Sequence, residues 1–328
     1  MKKYGTGGRT MDIPKVSICI PAYNNAAEVK RLLESIRMQT FRDLEIILTD
    51  DSTNEEIAEL IKSSGWEDIR YIHNEKPLGH IFNWNKSLSE AQGEYIKIMF
   101  SDDWFTAPDS LEKMVSLLDR TPEASLAFCG TMQVMLPEGG QAAKGEPEGG
   151  SGRPVKKAYA RAAEDWYTDR LAEDYRNLFL GNEIGAPSAT LYRACGAMFD
   201  EKSNWASDMF LYFEILSRNP RFVCTQEPLI SIGIHEAQYT GMFEEKDLRK
   251  FNDTLYMYEK YQLRESQACR EYMLRQILKF RQGWETAGQC GISRGEYLKQ
   301  GISWFWENTV LGYWNGAMHK LGIRKIEG

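Results

Sequence analysis

The chain has 328 residues, of which 42% are hydrophobic and 27% are charged, as is typical of a soluble globular protein of one large or two smaller domains. Its formal net charge of −7, with no long Lys/Arg stripe, disfavours a nucleic-acid partner. The sequence predicts neither a signal peptide nor a membrane span, and six cysteines without paired spacing are typical of reduced thiols in a cytoplasmic protein.

Strand-like and helix-like patterns alternate over residues 15–130, after a leader, 1–14, that is predicted to be disordered. Lys15–Ala22 is a short, β-branched apolar run of the kind that forms a buried strand. Ala26–Met38 repeats apolar residues every three or four positions, which predicts a helix with one buried face. The pattern continues with strands at Leu44–Leu48, Ile69–His73, Tyr95–Phe100 and Ser125–Cys129, and with helices after Ser52, over Gly79–Ala91 and from Pro108. Such alternation predicts a mostly parallel, doubly wound α/β sheet with right-handed crossovers.

The second half of the chain has a less regular pattern. Residues 136–158 are rich in Gly and Pro, which predicts a mobile loop, either an ordinary insertion or a lid over a site. Later helices are predicted at Asp169–Leu180 and Ala206–Arg218, and extended segments at Ser188–Arg193, Arg221–Cys224 and Leu229–Ile234. From Glu244 the pattern is helical. We therefore expect an α/β domain over 15–240 and a helical C-terminal extension over 241–328.

Acidic residues stand at the ends of several predicted elements. Asp50 and Asp51 end the second strand, Asp102 and Asp103 follow the strand that starts at Tyr95, and Asp208 opens a later helix. Two acids beside a buried strand need a partner, which is commonly a divalent cation, or they form a solvated turn that caps the next helix. Ligands of open α/β sheets bind at the carboxyl ends of the strands. These positions suit a nucleotide whose diphosphate is held through a metal.

The sequence lacks the motifs of several other kinds of functional site. The chain has no GxGxxG after the first strand, no GxxxxGK[ST] and no GxSxG, which argues against a dinucleotide-binding site, a P-loop and a hydrolase elbow. The four histidines have no metal-ligand spacing.

Two long segments carry a resemblance to a known family. VSICIPAYNNAAEVKRLLESIRMQTFRDLEIILTDDSTNEE and NEKPLGHIFNWNKSLSEAQGEYIKIMFSDDWFTAPDSLEKM resemble the family 2 glycosyltransferases, which are inverting enzymes. The resemblance is close over residues 15–130 and looser over 180–240. It implies the GT-A fold, a Rossmann-like, mostly parallel sheet that serves nucleotide-diphospho-sugar transferases.

The resemblance implies a nucleotide pocket at the ends of the first two strands. Pro21, Ala22 and Tyr23 would line it, with Tyr23 near the base. Asp51 would hydrogen-bond the base, a uracil or thymine. Asn85 resembles a pocket asparagine of the family, although a helix-surface residue is the alternative.

The resemblance also implies a metal site for Mn²⁺ or Mg²⁺. Asp102 and Asp103 match the DxD region, with Asp103 expected on the metal and Asp102 at the ribose. Ser101 stands where the family commonly has an acid. His235 resembles a late RxH element whose histidine meets the metal or diphosphate, with Gly233 in place of the arginine. A structural histidine is the alternative.

Asp208 falls where the family places its catalytic base, and Ser207 replaces the first acid of the usual pair. Such a carboxylate removes the proton of the acceptor hydroxyl as its oxygen attacks the anomeric carbon. A plain helix cap is the alternative.

The function implied by the resemblance is sugar transfer from a UDP- or dTDP-sugar to a glycan or lipid-linked acceptor, in bacterial surface polysaccharide synthesis at the inner face of the membrane. Ile302–Trp314 is rich in aromatics and is followed by Lys320, Arg324 and Lys325. This composition suits peripheral membrane contact, or a helix that docks on its own domain or on a second subunit of a homodimer.

Two other functions are alternatives to sugar transfer. A sugar-phosphate nucleotidyltransferase would need a Gly-rich, Arg-containing loop after the first strand, which PAYNN does not supply. A catalytically silent homologue would bind nucleotide-sugar or glycan as a scaffold, and the serines at 101 and 207 keep that alternative open.

Overall fold

A computed structural model describes residues 13–66, 68–136, 157–235 and 244–306. The strands are β1 (Val16–Ala22), β2 (Leu44–Asp50), β3 (Ile69–His73), β4 (Tyr95–Ile98), β5 (Trp104–Phe105), β6 (Leu126–Met135), β7 (Lys157–Arg161), β8 (Thr190–Arg193) and β9 (Phe222–Ile234). The α-helices are α1 (Ala26–Arg37), α2 (Glu56–Ser63), α3 (His80–Ser89), α4 (Ser110–Arg120), α5 (Asp165–Glu173), α6 (Ser207–Arg218), α7 (Leu248–Lys260), α8 (Gln267–Lys279), α9 (Trp284–Gln289) and α10 (Arg294–Phe305). Most of the predicted leader and loop, and the chain after 306, lie outside the described residues.

One nine-stranded sheet organises the described part of the chain, in the order β3-β2-β1-β4-β8-β6-β9-β5, with β7 on β6. β1 pairs in parallel with β2 and β4, and β2 pairs in parallel with β3. β8 is antiparallel to both of its neighbours, and β9 returns parallel to β6. The predicted α/β class is confirmed, and the alternation of the first half produces the parallel part of the sheet.

The buried face predicted for α1 is confirmed. Val29, Leu32, Leu33 and Ile36 are all buried in the core that β1 and β2 also line. Their spacing of three or four residues places them on one side of a 3.6-residue helix, whereas the strand residues are buried on both faces of the sheet.

The described residues fall into two compact units. The first holds the residues up to Tyr175, Glu183–Lys202 and the chain from Leu211 to His235, which include the whole sheet. The second holds Arg176–Asn182, Ser203–Phe210 and the described helices after 243. The helical pattern predicted from Glu244 is confirmed through α7, α8, α9 and α10.

Four predicted elements differ from the structure. The helix predicted at 169–180 is two elements, α5 and a 3-10 helix at Tyr175–Leu180, because Asp174 takes an extended conformation between them. The extended segment predicted at 188–193 begins with a 3-10 turn, Pro187–Ala189. The two short strands predicted at 221–234 are one strand, β9. β5 and β7 were not predicted. β5 has only two residues, too few to show a pattern, and the five residues of β7 are all exposed and show no buried face.

β9 is kept close to β6 by Gly130. The register between the two strands shifts on both sides of this glycine. A Cβ at position 130 would lie 2.3 Å from the carbonyl oxygen of Gln226 and 2.9 Å from its carbonyl carbon, so only glycine fits without backbone movement.

We expect Gly130→Ala to lower the free energy of unfolding by about 1–3 kcal/mol, because the added methyl overpacks a backbone contact. Gly181→Ala is the matched control, since nothing lies within 4 Å of its added Cβ. Urea denaturation of both variants measures the difference. Equal midpoints would contradict the close approach at Gly130.

Candidate active site

The carboxyl ends of β1, β2 and β4 meet at one edge of the sheet. Ala22 pairs with Asp50 in the β1–β2 register, and Cys19 pairs with Ile98 in the β1–β4 register. Because the three strands are parallel, the segments that follow them leave at this edge. It is the position at which open α/β sheets bind ligands.

The loop after β1 presents one exposed aromatic side chain. Pro21 and Ala22 are buried at the end of the strand, whereas Tyr23 is 55% exposed. Asn25 donates from Nδ2 to the Ser101 hydroxyl at 2.5 Å, which ties this loop to the turn after β4. The serine at 101 therefore serves as a hydrogen-bond acceptor for the PAYNN segment.

Asp51 is buried, 4% exposed, and its carboxylate accepts three hydrogen bonds. Oδ1 accepts from Asn74 Nδ2 at 2.9 Å and from the Leu78 amide at 2.7 Å, and Oδ2 accepts from the Gly79 amide at 2.8 Å. A carboxylate has about four acceptor positions, so one remains for a further donor. Asp51 thus shapes the turn that opens α3.

Asn85 bonds to the protein backbone. Its Nδ2 donates to the Phe199 carbonyl at 2.9 Å, and its Oδ1 accepts from the Phe199 amide at 2.8 Å. These two bonds fix the backbone at Phe199. A contact between Asn85 and a nucleotide stays a prediction.

Asp102 and His235 come together across the sheet edge. Asp102 Oδ2 lies 3.3 Å from His235 Nε2, and the two side chains are 25% and 20% exposed. Asp102 follows β4 and His235 follows β9, so tertiary folding joins residues that are far apart in sequence. Asp102, rather than Asp103, is the acid that faces the histidine.

The backbone of the turn that carries Asp102 and Asp103 packs between Arg31 and Gly233. Arg31 donates from Nη2 to the Asp102 carbonyl at 2.8 Å, and its guanidinium lies 4.0 Å from the centre of the Trp104 ring. On the other side, a Cβ at Gly233 would lie 2.5 Å from the same carbonyl oxygen. Position 233 therefore accepts only glycine unless the backbone moves.

Asp103 points into the protein and is 2% exposed. It accepts a bond from the Gly233 amide at 3.3 Å and one from the Ser188 hydroxyl. Burial, reinforced by the negative charge of Asp102, raises the pKa of Asp103 well above its ordinary value, and these donors together with Lys97 partly offset that effect.

Lys97 is a fully buried cation in the middle of β4. Its ammonium donates to the carbonyl of Ser188 and, at 3.2 Å, to that of Thr190. Burial lowers the pKa of Lys97 to about 8, while the charge of Asp103 acts in the opposite direction. The lysine thus joins β4 to the segment that enters β8.

The Asp102–His235 pair fits two positions in the shell of a divalent cation. Octahedral ligands at about 2.1 Å from a cation lie roughly 3.0 Å from each other, close to the 3.3 Å observed. Carboxylate oxygen and imidazole nitrogen are both common metal donors. In the described part of the chain, no group of three or more His, Cys, Asp and Glu side chains is arranged to hold a metal, so other ligands would complete the shell.

Asp208 lies in the second unit, in the first turn of α6. Its Oδ2 accepts from Asn182 Nδ2 at 2.6 Å, and its Oδ1 accepts from the Met209 amide at 2.8 Å. Ser207, which stands in place of an acid, shares a hydrogen bond with Ser203 at 2.8 Å. Both predicted roles of Asp208, base and helix cap, stay predictions.

Sequence reasoning missed several residues that hold the site. Of these residues, Lys97 could most easily have been identified from the sequence, because a charged residue inside an apolar strand is unusual. The other residues show no such local signal, since each forms its hydrogen bond with a partner distant in sequence. They are Asn25, Arg31, Asn182 and Ser188.

Comparison with known proteins gives the class. The sequence model of Glycosyl transferase family 2 matches residues 17–179. An uncharacterized glycosyltransferase of Methanocaldococcus jannaschii is 35% identical over 122 residues, covering 36% of this chain and 42% of that protein. A putative glycosyltransferase of Bacillus subtilis is 34% identical over 122 residues, covering 36% and 34%. The chain thus spans less than half the length of these relatives.

Solved structures show the same fold at low identity. TarS of S. aureus, in complex with UDP-GlcNAc, superposes with a TM-score of 0.55 at 15% identity, over 81% of this chain and 73% of that one. The mannosyltransferase PcManGT of Pyrobaculum calidifontis, in complex with GDP-Man and Mn²⁺, gives 0.51 at 14% identity, over 84% and 74%. The chain has the GT-A fold, and its residues 17–179 belong to glycosyl transferase family 2.

None of the helices in the described ranges combines the length and the hydropathy needed to cross a bilayer.

We expect Lys97→Met to lower the free energy of unfolding by about 3 kcal/mol, because it removes a donor from two buried carbonyls and the neighbouring cation from Asp103. Chemical denaturation at neutral pH measures this loss. Lys113→Met is the control, since that lysine bridges Asp109 and Glu227 at the surface and should leave the midpoint unchanged. Equal losses in the two variants would contradict the role of Lys97.

The same variant gives a prediction about pH. The pKa of Lys97 is about 8 in the folded chain and 10.5 as its ordinary value. Between these pH values the unfolded chain binds a proton that the folded chain lacks, so stability rises with pH in this window. The stability of the wild type relative to Lys97→Met should therefore increase from pH 8 to pH 10.5. A difference that shrinks over this range would contradict the assignment.

Proposed function

We propose that the chain is an inverting, metal-dependent glycosyltransferase that moves a sugar from a UDP- or dTDP-sugar to an acceptor hydroxyl. The observation that carries the proposal is the Asp102–His235 pair, exposed at the carboxyl edge of the parallel strands. The match to family 2 and the complexes of TarS with UDP-GlcNAc and of PcManGT with GDP-Man support a nucleotide-sugar donor, and the TarS complex supports a UDP-sugar in particular.

The nucleotide would occupy the ends of β1 and β2. In this proposal the exposed Tyr23 ring packs against the base, while Pro21 and Ala22 form the floor. The remaining acceptor position of Asp51 takes an N–H of a uracil or thymine. Asn85 is also proposed to face the nucleotide, and its amide holds the Phe199 backbone.

Asp102 and His235 would hold Mn²⁺ or Mg²⁺ together with the donor diphosphate. When bound, the cation offsets negative charge on the leaving diphosphate. The metal-binding role that the sequence predicts for Asp103 stays a prediction, and its carboxylate is buried and accepts bonds from Gly233 and Ser188.

Asp208 would serve as the general base. Its carboxylate takes the proton of the acceptor hydroxyl, the acceptor oxygen bonds to the anomeric carbon, and the bond to the diphosphate breaks with inversion. The bond from Asn182 orients Oδ2, and the Met209 amide fixes Oδ1.

The acceptor would be a glycan or a lipid-linked glycan of a bacterial surface polysaccharide, met on the cytoplasmic side of the membrane. A Campylobacter jejuni β-1,3-glucosyltransferase that acts on an undecaprenol-linked glycan is 31% identical over 28% of this chain. Leu298 and Ile302 on α10 and Trp306 directly after it are exposed at four-residue spacing, which supports peripheral membrane contact. A homodimer through this face is the competing arrangement.

We expect UDP or dTDP to bind the full chain only when Mn²⁺ is present. His235→Ala and Asp102→Ala should each weaken the metal-dependent binding at least tenfold, since each removes one ligand. Isothermal calorimetry with and without Mn²⁺ makes the measurement.

His73→Ala is the matched control, because His73 also faces an acid, Asp50, at 3.5 Å, and it should keep the dependence on Mn²⁺. If neither nucleotide binds in the presence of the metal, the donor assignment is wrong, and a glycan-binding scaffold becomes the better account.

Asp208→Asn should lower kcat for release of nucleoside diphosphate from the donor by about a hundredfold or more, because the amide cannot take a proton. Nucleotide affinity should stay within about twofold of the wild type. Asp109→Asn, at an exposed acid, is the control. Turnover that survives in Asp208→Asn would refute the base role.

A further inference from the structure

Asp253 holds the chain immediately before α6 with four hydrogen bonds. It lies on α7, within the helical extension, and is 2% exposed. Its Oδ2 accepts from three consecutive backbone amides, those of Asn204 at 2.8 Å, Trp205 at 2.6 Å and Ala206 at 3.0 Å. Its Oδ1 accepts from Asn204 Nδ2 at 3.1 Å. Successive amides that converge on one anion form a concave anion-binding backbone.

The position of this contact matters because α6 begins at Ser207, one residue after the last of the three amides. The first amides of a helix lack partners within the helix, and capping usually comes from a nearby side chain. Here the preceding amides are bound by a carboxylate about 50 residues later in the chain. A negative charge at this end also complements the helix dipole.

Other residues of the extension contact the chain on both sides of Asp208. Lys250 lies 5.1 Å from the centre of the Trp205 ring. On the far side, the Tyr261 hydroxyl donates to the Phe210 carbonyl at 3.2 Å. The helical extension therefore holds the residues before and after Asp208, and all of these contacts lie within the second unit.

We propose that Asp253 is a positioning residue for the Asp208 carboxylate, acting through the backbone of Asn204–Ala206. The inference rests on the proposed function, since it gives Asp208 the role of the base. The residue lies outside the family match at 17–179. The extension then serves catalysis without touching the substrate.

The carboxylate is required for this contact, and an amide would not replace it. In Asp253→Asn one accepting oxygen becomes an NH2 group, which would face either the backbone amides or the Asn204 amide and so meet another donor. Asp253→Glu keeps the charge but moves the oxygens by one methylene. The turn should loosen in the first variant and shift in the second.

The experiment uses the full chain and has two readouts. Hydrogen exchange followed by mass spectrometry should show faster exchange over Asn204–Phe210 in Asp253→Asn, with the sheet unchanged. The kcat for nucleoside diphosphate release from UDP- and dTDP-sugars should fall about ten- to a hundredfold, since small misplacements of a reacting group have effects of this size. The affinity for UDP with Mn²⁺, measured by calorimetry, should change less than twofold. General destabilisation of the protein would instead lower both kcat and this affinity.

Asp247→Asn is the matched control, because it makes the same substitution on the residue that caps α7, where asparagine also caps well. It should match the wild type in exchange and in kcat. If Asp253→Asn fails to fold, Asp253→Glu carries the test, and it should show reduced kcat with normal nucleotide affinity.

Wild-type exchange over Asn204–Phe210 in the folded Asp253 variants would overturn the inference, as would wild-type kcat. A wild type without turnover, together with faster exchange in Asp253→Asn, would refute the proposed function and with it the catalytic purpose assigned to Asp253. Loss of kcat in Asp253→Asn but not in Asp208→Asn would remove Asp208 as the target and also overturn the inference.

Discussion

The close approach of two backbones, at Asp102 and Gly233, is the constraint on which the candidate site depends. A Cβ at position 233 would lie 2.5 Å from the Asp102 carbonyl oxygen, so β9 can approach this turn so closely only because residue 233 is glycine. Arg31 holds the same carbonyl from the other side at 2.8 Å, with its guanidinium over Trp104. The two adjacent carboxylates of this turn have different partners: that of Asp102 reaches His235, and that of Asp103 accepts from the Gly233 amide.

Buried carboxylates hold the irregular segments of this protein. Asp51 binds the amides of the turn before α3, Asp103 binds an amide of β9, and Asp253 binds three amides before α6. Turns lack the ladder partners of strands, so their amides need acceptors from elsewhere. Burying an ionised group is costly unless it receives such bonds, and Lys97 adds a cation beneath Asp103. Asp51, Asp103 and Asp253 thus bind backbone amides of the protein, whereas Asp102 is partly exposed and accessible to a ligand.

The sequence predicted what depends on neighbours along the chain and missed what depends on distant partners. The buried face of α1 follows from a local period, and the parallel strands follow from the alternation of elements. Nothing local distinguishes Asp102 from Asp103, because the difference is made by Gly233, 130 positions away from Asp103. Asp253 was unpredictable for the same reason, while Lys97 was visible as a charge within an apolar strand.

Pulsed EPR spectroscopy of Mn²⁺ bound to the full chain with UDP or dTDP tests the central claim most directly, because it detects nitrogen ligands of the metal. The account predicts a nitrogen hyperfine coupling in the wild type that is absent from His235→Ala and retained in His73→Ala. A wild-type spectrum without this coupling, or one that persists in His235→Ala, would contradict the claim that the Asp102–His235 pair is the metal-binding centre of the site.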